Sequence, residues 1–373
     1  MMKWILLLIL VLVTGQIYCF SDYGTIFLAI EPSSINIAMG ETVGVTNIWH
    51  NNPLIFYANP AIASLHEGIS YGYKRDPWLQ DVFACSRYSG GLISLGYRGM
   101  SITLPAYNGS KRSGIDFEVK DDFIGMRKSR MWSYYENAEV YGTALNPFEV
   151  YRTFSDSEGV SGSLDLAVGI NYIRIRSEVR SKYGFDEYHI PKANFLNLGI
   201  LARYEKEISD HVLFEGVAGY SRFNLTDSKI GYYESAESEP VYSHNNFGIA
   251  SSFSFPAVNY DIGFINQDIF HYKNLMTYRA LASYMTDPNS SSSIAGFGIE
   301  GGFLDALFIR AGRHIDKDGH REGNTYGFGI NLNYKSIISF SYNYSVNRAG
   351  ELVDSQKAYD LGLSIDAIRI AGL

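Results

Sequence analysis

The densest run of side chains able to do chemistry is His314, Asp316, Asp318, His320 and Glu322, in GRHIDKDGHREGN. Imidazoles and carboxylates this close together are the ligand types of zinc and calcium. The spacing fits no zinc pattern, and Asp316-Lys317-Asp318-Gly319 lacks the alternating ligand ladder of a calcium loop. The run reads as a solvated loop, and no metal is assigned to it. Asp121-Asp122, behind Lys120, has no histidine beside it to complete an acid–base or metal site. No G-x-S-x-G elbow is present, Cys85 lacks the surroundings of a catalytic thiol, and no Walker or dinucleotide fingerprint appears. The expectation is a protein that is not an enzyme and uses no cofactor. Arg203 and Arg174 face two readings, as lumen or headgroup contacts or as partners of a strand carboxylate such as Asp165. Isolated charges in a wall are usually satisfied locally.

The elements that would position these residues are strands. In Ser163–Asn171, Leu164, Leu166, Val168 and Ile170 fall on one face, with Asp165, Ala167, Gly169 and Asn171 on the other. The same period of two runs through 196–204, 326–334, 338–346 and 359–366. Further strands are expected at 69–73, 92–104, 138–148, 212–220, 247–255, 260–266, 276–284, 293–303 and 307–312. Together these make about fourteen, each of about ten residues, the length of a tilted membrane-spanning strand. Tyr and Phe often end the apolar stripe, as in an interfacial girdle. The opposite face is mostly Gly, Ser, Asn and Ala, where a soluble sandwich would carry long charged side chains. Leu201 and Ile173 break that face and point to some apolar lumen. Lys335-Ser336 and Leu304-Asp305 read as tight turns. The stretches 108–130, 177–193, 224–246 and 314–324 read as long polar loops. The pattern predicts an all-β, transmembrane antiparallel barrel in an outer membrane.

Composition agrees. Of 373 residues, 29 are Tyr, 22 Phe and 36 Gly, a mix that suits strands and tight turns. The net charge of -8 argues against nucleic acid as a partner. Residues 1–21 have Lys3 before the apolar run Ile5–Val13 and read as a signal peptide. The two cysteines, Cys19 in or beside that signal and Cys85, form no disulfide in the mature chain.

Residues 22–65 do not alternate. Gly40 marks a sharp turn or a close backbone approach. Asn59-Pro60-Ala61 is a helix start, with Asn as cap and Pro at the first position, and His50-Asn51-Asn52-Pro53 is turn chemistry. From local physics, this segment is either an edge helix or a plug for the barrel 66–373. In order, Phe27-Leu28-Ala29-Ile30, Ala38-Met39-Gly40-Glu41, Asn51-Asn52 and Asn59-Pro60-Ala61 resemble the N-terminal signature of the PorV/PorQ-type outer-membrane proteins. That group is similar to the FadL long-chain fatty-acid transporters. Ile309-Arg310-Ala311-Gly312 resembles a late-strand motif of the same group. Two features depart from it: no arginine lies near Ser34-Ile35-Asn36, and the last strand is followed by 366–373 where such barrels end on an aromatic residue. The resemblance implies a plug at the N-terminus in which Ala38, Met39, Gly40, Asn59, Pro60 and Ala61 are structural residues. It implies outer-membrane lipid around the barrel and either of two partners. One is a secretion component or cargo protein, the PorV-like function; the other is a hydrophobic small molecule, the FadL-like function.

Overall fold

The computed structural model describes residues 26–76, 87–108, 113–120, 132–154, 163–181, 192–231, 238–256, 272–288, 293–316, 322–335, 337–349, 356–366 and 370. The signal peptide, Cys85, Asp121, Asp122, Asp318, His320 and the expected strand 260–266 lie outside them.

The strands are β1 (Gly68–Asp76), β2 (Arg87–Tyr97), β3 (Met100–Pro105), β4 (Gly114–Lys120), β5 (Trp132–Leu145), β6 (Ser163–Ser181), β7 (Lys192–Ser209) and β8 (Val212–Phe223). A two-residue pair follows, β9 (Lys229–Ile230) with β10 (Glu239–Pro240). Then come β11 (His244–Pro256), β12 (Asn274–Thr286), β13 (Ser293–Phe303), β14 (Leu307–Asp316), β15 (Gly323–Tyr334), β16 (Ile338–Ala349) and β17 (Gln356–Ile365). All wall pairings are antiparallel, and β1 pairs with both β2 and β17, which closes the sheet on itself. β3 and β4 each pair with β2 on one side and β5 on the other, so they share one place in the wall. The fifteen strands of the main sheet therefore fill fourteen positions. Closure leaves no edge strand, the condition a sheet must meet in lipid.

The alternation puts the faces where the sequence reading expects them. Leu164, Leu166, Val168 and Ile170 are each 41–46% exposed on the outside, while Asp165 and Ala167 are buried inside. The outer surface continues with Tyr278, Phe297, Ile299 and Ile309. This closed barrel with an apolar outer band is an outer-membrane protein. No described helix is long and apolar enough to cross a membrane.

Three expectations are corrected. The single strand 92–104 is two, because Arg98 and Gly99 take positive φ and turn the chain between β2 and β3. Part of the expected loop 108–130 is strand β4, whose short apolar alternation at Ile115 and Phe117 is hidden among polar residues. Strand 138–148 begins earlier and ends at Leu145, because Pro147 starts helix α2 (Pro147–Phe154). The turn at Leu304-Asp305 is present, both residues at positive φ, and so is the turn at Lys335.

Residues 26–65 lie inside the barrel as short helices. A single α-turn, α1 (Ser34–Ala38), follows the cap Ser33, and 3-10 turns cover Ile26–Ala29, Thr42–Thr46, Ile55–Tyr57 and Pro60–Leu65. The small inward face of the wall is the socket for this backbone. A Cβ on Gly72, Gly199, Gly219 or Gly298 would come within 2.5 Å of Asn52, Asn59, Val45 or Met39. Small residues thus set close packing with the N-terminal segment, not an open bore.

Candidate functional site

The site is the lumen, which falls into two halves along the barrel axis. The proximal end carries the start of β1 and the end of β17; the distal end carries β9 and β10.

The distal half holds an apolar cluster, with the buried Lys74–Asp76 pair and Asp116 beside it. Phe27, Leu28, Leu54 and Tyr57 of the inner segment pack on the strand residues Tyr88, Leu92, Ile115, Phe117, Val140, Ile173, Ile175, Phe195 and Phe223. Ile230 and Val241, beside the β9–β10 pair, cap the same cluster. Each is less than 9% exposed, so the chamber is filled in this structure. Ile173, marked by the sequence as an apolar break on the inward face, belongs to it; Leu201, the other break, is buried in a second cluster around Ile35, Ile55 and Ile62.

The wall is interrupted beside this cluster. The last β3–β5 pair is Thr103 with Gly142, and the first β4–β5 pair is Ile115 with Ala138. Continuing the register would set Leu104, Pro105 and Gly114 against Tyr141, Val140 and Glu139, and no pairing occurs there. Pro105 has no N–H to give. Past Pro105, Ala106 N–H still donates to the Gly91 carbonyl of β2 and the Ala106 carbonyl accepts from Gly114 N–H, both at 2.9 Å, while Gly114, with φ of +101° and the Ala138 carbonyl oxygen 2.3 Å from where a Cβ would sit, admits no side chain. Tyr71 on the outside donates its hydroxyl to the Tyr107 carbonyl at 2.7 Å. The break in β-pairing was missed in the sequence, although Pro105, directly after the expected strand 92–104, was its signal.

The proximal half is charged. Glu300 accepts from Arg310 Nε at 2.5 Å, from Arg279, and from His50 Nε2 at 2.9 Å. Arg310 also donates to Asn343 Oδ1 at 2.9 Å, and the side chains of Arg310 and Glu300 are fully buried. Next to His50, the indole of Trp49 donates to Glu215 at 2.7 Å and lies under Arg279, 5.2 Å from the ring centroid. Arg203 binds Glu215 at 2.7 Å and faces Asp165 at 3.5 Å, which is the paired reading of that arginine. Arg174 is outside this network: next to Ile173 and on the outer face of β6, it lies 3.9 Å from Glu139. Burial lowers the pKa of His50, opposed by Glu300. Sequence reasoning missed this network, because it needs the exact register of the consecutive strands β12, β13 and β14, which sets Arg279 and Arg310 on either side of Glu300, and the docked inner segment that brings His50.

The sequence-singled residues fall at two contacts between segment and wall. Gly40 has φ +93°, and a Cβ there would lie 2.7 Å from the carbonyls of Phe297 and Arg313. The Met39 side chain is buried, and the Ala38 carbonyl accepts from Thr325 at 3.0 Å. Across the barrel, Asn59 Oδ1 accepts from Ala61 N–H at 3.1 Å, capping the turn that Pro60 begins. Asn59 Nδ2 donates to the Val45 carbonyl at 2.9 Å and the Ile200 carbonyl at 3.3 Å, and Pro60 and Ala61 lie on Gly169. Of the expected loop cluster, His314 is a buried inward residue of β14, while Glu322 pairs with Arg313 on the surface. Among the described residues, no group of three or more His, Cys, Asp or Glu could hold a metal.

No family model matches the chain, and no curated protein matches it. Among solved structures it is similar to the Ralstonia pickettii toluene transporter TbuX, at 8% identity and a TM-score of 0.38 over 89% of this chain and 96% of that one. It is similar to the Pseudomonas putida toluene transporter TodX, at 9% and 0.41 over 90% and 98%. A Pseudomonas aeruginosa FadL homologue follows at 10% and 0.40, over 90% and 98%. Likeness this distant does not transfer a ligand.

Proposed function

We propose that this protein is an outer-membrane channel for hydrophobic small molecules, with the distal chamber as binding region and the interrupted third wall position as its passage toward lipid. One observation carries the reading: a continuous apolar cluster runs from the distal cap, Ile230 and Val241, down to Ile115 and Val140 at the interruption. Apolar side chains facing a lumen have a use when an apolar solute passes them. A water-filled bore would favour polar walls. The chamber is closed here by Phe27, Leu28, Leu54 and Tyr57, so passage requires the inner segment to shift. On this reading Ala38, Met39, Gly40, Asn59, Pro60 and Ala61 anchor that segment at opposite sides of the wall and are structural. The PorV-like role in secretion rests on the N-terminal resemblance alone.

The test is uptake of a fluorescent hydrophobic probe by cells producing the protein, against cells producing Val140→Trp or Ile115→Trp. Each variant fills the chamber at the interruption. We expect about a tenfold loss of uptake at unchanged barrel assembly, since a blocked path acts on flux directly. Equal uptake, together with a secretion component recovered in stoichiometric amount from native membranes, would replace this reading by the secretion one.

A further inference from the structure

The outer surface of β6 and β7 changes character along one line. On β6, the exposed Leu164, Leu166, Val168 and Ile170 are followed on the same face by Tyr172, 41% exposed, and then by Arg174 and Arg176. β7 runs beside it, with Ile200, Leu198 and Leu196 giving way to Asn194 and Lys192. An apolar band, an aromatic level and a basic level thus follow one another. A lipid presents acyl chain, interface and headgroup in that order. Tyr172 lies beside Tyr141 of β5, ring centroids 6.4 Å apart. Arg174 and Arg176 are two and four residues beyond that pair, about 7 and 13 Å along the strand.

The basic level runs against ordinary strand pairing. Arg176 stands directly opposite Lys192. Both side chains point outward, since their neighbours Ile175 and Ala193 belong to the distal cluster. Like charges opposed in this way repel across about 5 Å. Arg174 adds a third cation on the same face, and its cross-strand partner, Asn194, is neutral. Glu139 of β5 faces the three, 3.9 Å from Arg174. The outward carboxylates of the next strand, β4, are engaged elsewhere. Asp116 accepts from Asn108, Tyr135 and Asn137 at 2.5–2.7 Å, and Glu118 pairs with Arg87 at 3.4 Å. Among the described side chains this patch is therefore net positive, in a chain whose total charge is -8.

We propose that Arg174, Arg176 and Lys192 form a docking surface for the phosphate of an anionic membrane lipid whose acyl chains lie on Leu166, Val168 and Ile170. A phosphate monoester offers three oxygens and up to two charges. It can bridge the opposed Arg176 and Lys192 and turn their repulsion into attraction. A guanidinium takes two of those oxygens at once. A zwitterionic headgroup brings its own cation and gains less. The occupant is a lipid and not a soluble phosphate, because the apolar band continues the site along both strands. The surface borders the interrupted wall position, since Glu139 is one of the β5 residues that no strand pairs with there. A docked lipid sits beside that mouth, whatever passes through the lumen.

The experiment is native mass spectrometry of the full barrel in maltoside micelles, titrated with dioleoylphosphatidic acid and with dioleoylphosphatidylcholine, which share their chains. We expect the first phosphatidic acid to bind about tenfold more tightly than phosphatidylcholine. In Arg176→Gln/Lys192→Gln that preference falls to about twofold or less while phosphatidylcholine binding stays, and Lys192→Gln alone, at an exposed position, costs about threefold. Arg75→Gln/Lys357→Gln removes two outward cations from β1 and β17 and keeps the preference. Equal binding of the two lipids by the unaltered protein overturns the inference. So does a full preference in Lys192→Gln or in the double variant. A preference abolished equally by Arg75→Gln/Lys357→Gln overturns it too, because the attraction then belongs to the rim as a whole. Glycerol 3-phosphate should fail to displace phosphatidic acid at matched concentration. Displacement would make the occupant a soluble phosphate and overturn the lipid assignment.

Discussion

The two halves of the lumen hold the same inner segment by opposite means. In the proximal half, Trp49 and His50 reach ionised groups on β8 and β13 through directional bonds at 2.7 and 2.9 Å. In the distal half, Phe27, Leu28, Leu54 and Tyr57 meet the wall through apolar surface, with a directional bond from Lys74 to the Glu31 carbonyl at 2.9 Å. Apolar contact has no preferred geometry, so it can be exchanged for contact with an apolar solute at little cost. A buried ion cluster cannot be loosened stepwise, because a partner removed leaves an uncompensated charge. The contrast makes the proximal half the anchor and the distal half the part that yields.

The hardest blow to that contrast is Glu300→Ala. It removes the acceptor of Arg279, Arg310 and His50 together and leaves two buried arginines facing each other. The expected cost is about 3–5 kcal/mol. It should appear as a lower urea midpoint and as cleavage of the inner segment by added protease. Equal protection would show that the ion cluster does not anchor the segment.

Next is Gly312→Ala, whose Cβ would lie 2.3 Å from the Met39 carbonyl carbon. Backbone must move to admit it, at about 1–3 kcal/mol. Gly301→Ala is the matched control on the neighbouring strand, where nothing lies within 4 Å. A similar loss in both would assign the effect to strand propensity, not to the contact. Smaller again is Ile173→Val in the distal cluster, at about 0.5–1.5 kcal/mol. It should leave protease protection intact while changing probe uptake. The reverse pattern would exchange the roles of the two halves.

The wall was legible because a period of two survives in a single sequence. The faces of 163–171 and 326–334 follow from alternation alone; the expected count of about fourteen agrees with the fourteen wall positions although it took 92–104 as one strand, overlooked β4 and included 260–266, which lies outside the described residues. The inner segment was legible at Gly40, where positive φ demands glycine, and at Asn59-Pro60, where cap and ring preset a helical turn. The break at Pro105–Gly114 was not, because 92–104 alternates well enough to hide the turn at Arg98-Gly99. The ion cluster was out of reach for a different reason. Arg279, Glu300 and Arg310 are register partners on the consecutive strands β12, β13 and β14, but alternation alone does not fix that register, and His50 joins them only when the inner segment docks.

The subtlest test of the contrast uses pH. Burial raises the Glu31 carboxyl from an ordinary 4.5 to about 7; Ser33 N–H, the Asn36 amide and Lys74 oppose the rise and Glu41 adds to it. The docked segment therefore binds this proton more tightly than the released one. Its contribution to docking is fully present below pH 4.5 and is lost as pH rises through 7, by about 1–3 kcal/mol given partial solvent access. His66 runs the other way: burial lowers it from 6.5 to about 4, so its contribution is present above 6.5 and is lost as pH falls through 4. Protease protection of the inner segment should thus peak between the two limbs. Glu31→Gln should flatten the alkaline limb and leave the acid one. An alkaline limb that persists in Glu31→Gln would move its origin to another group.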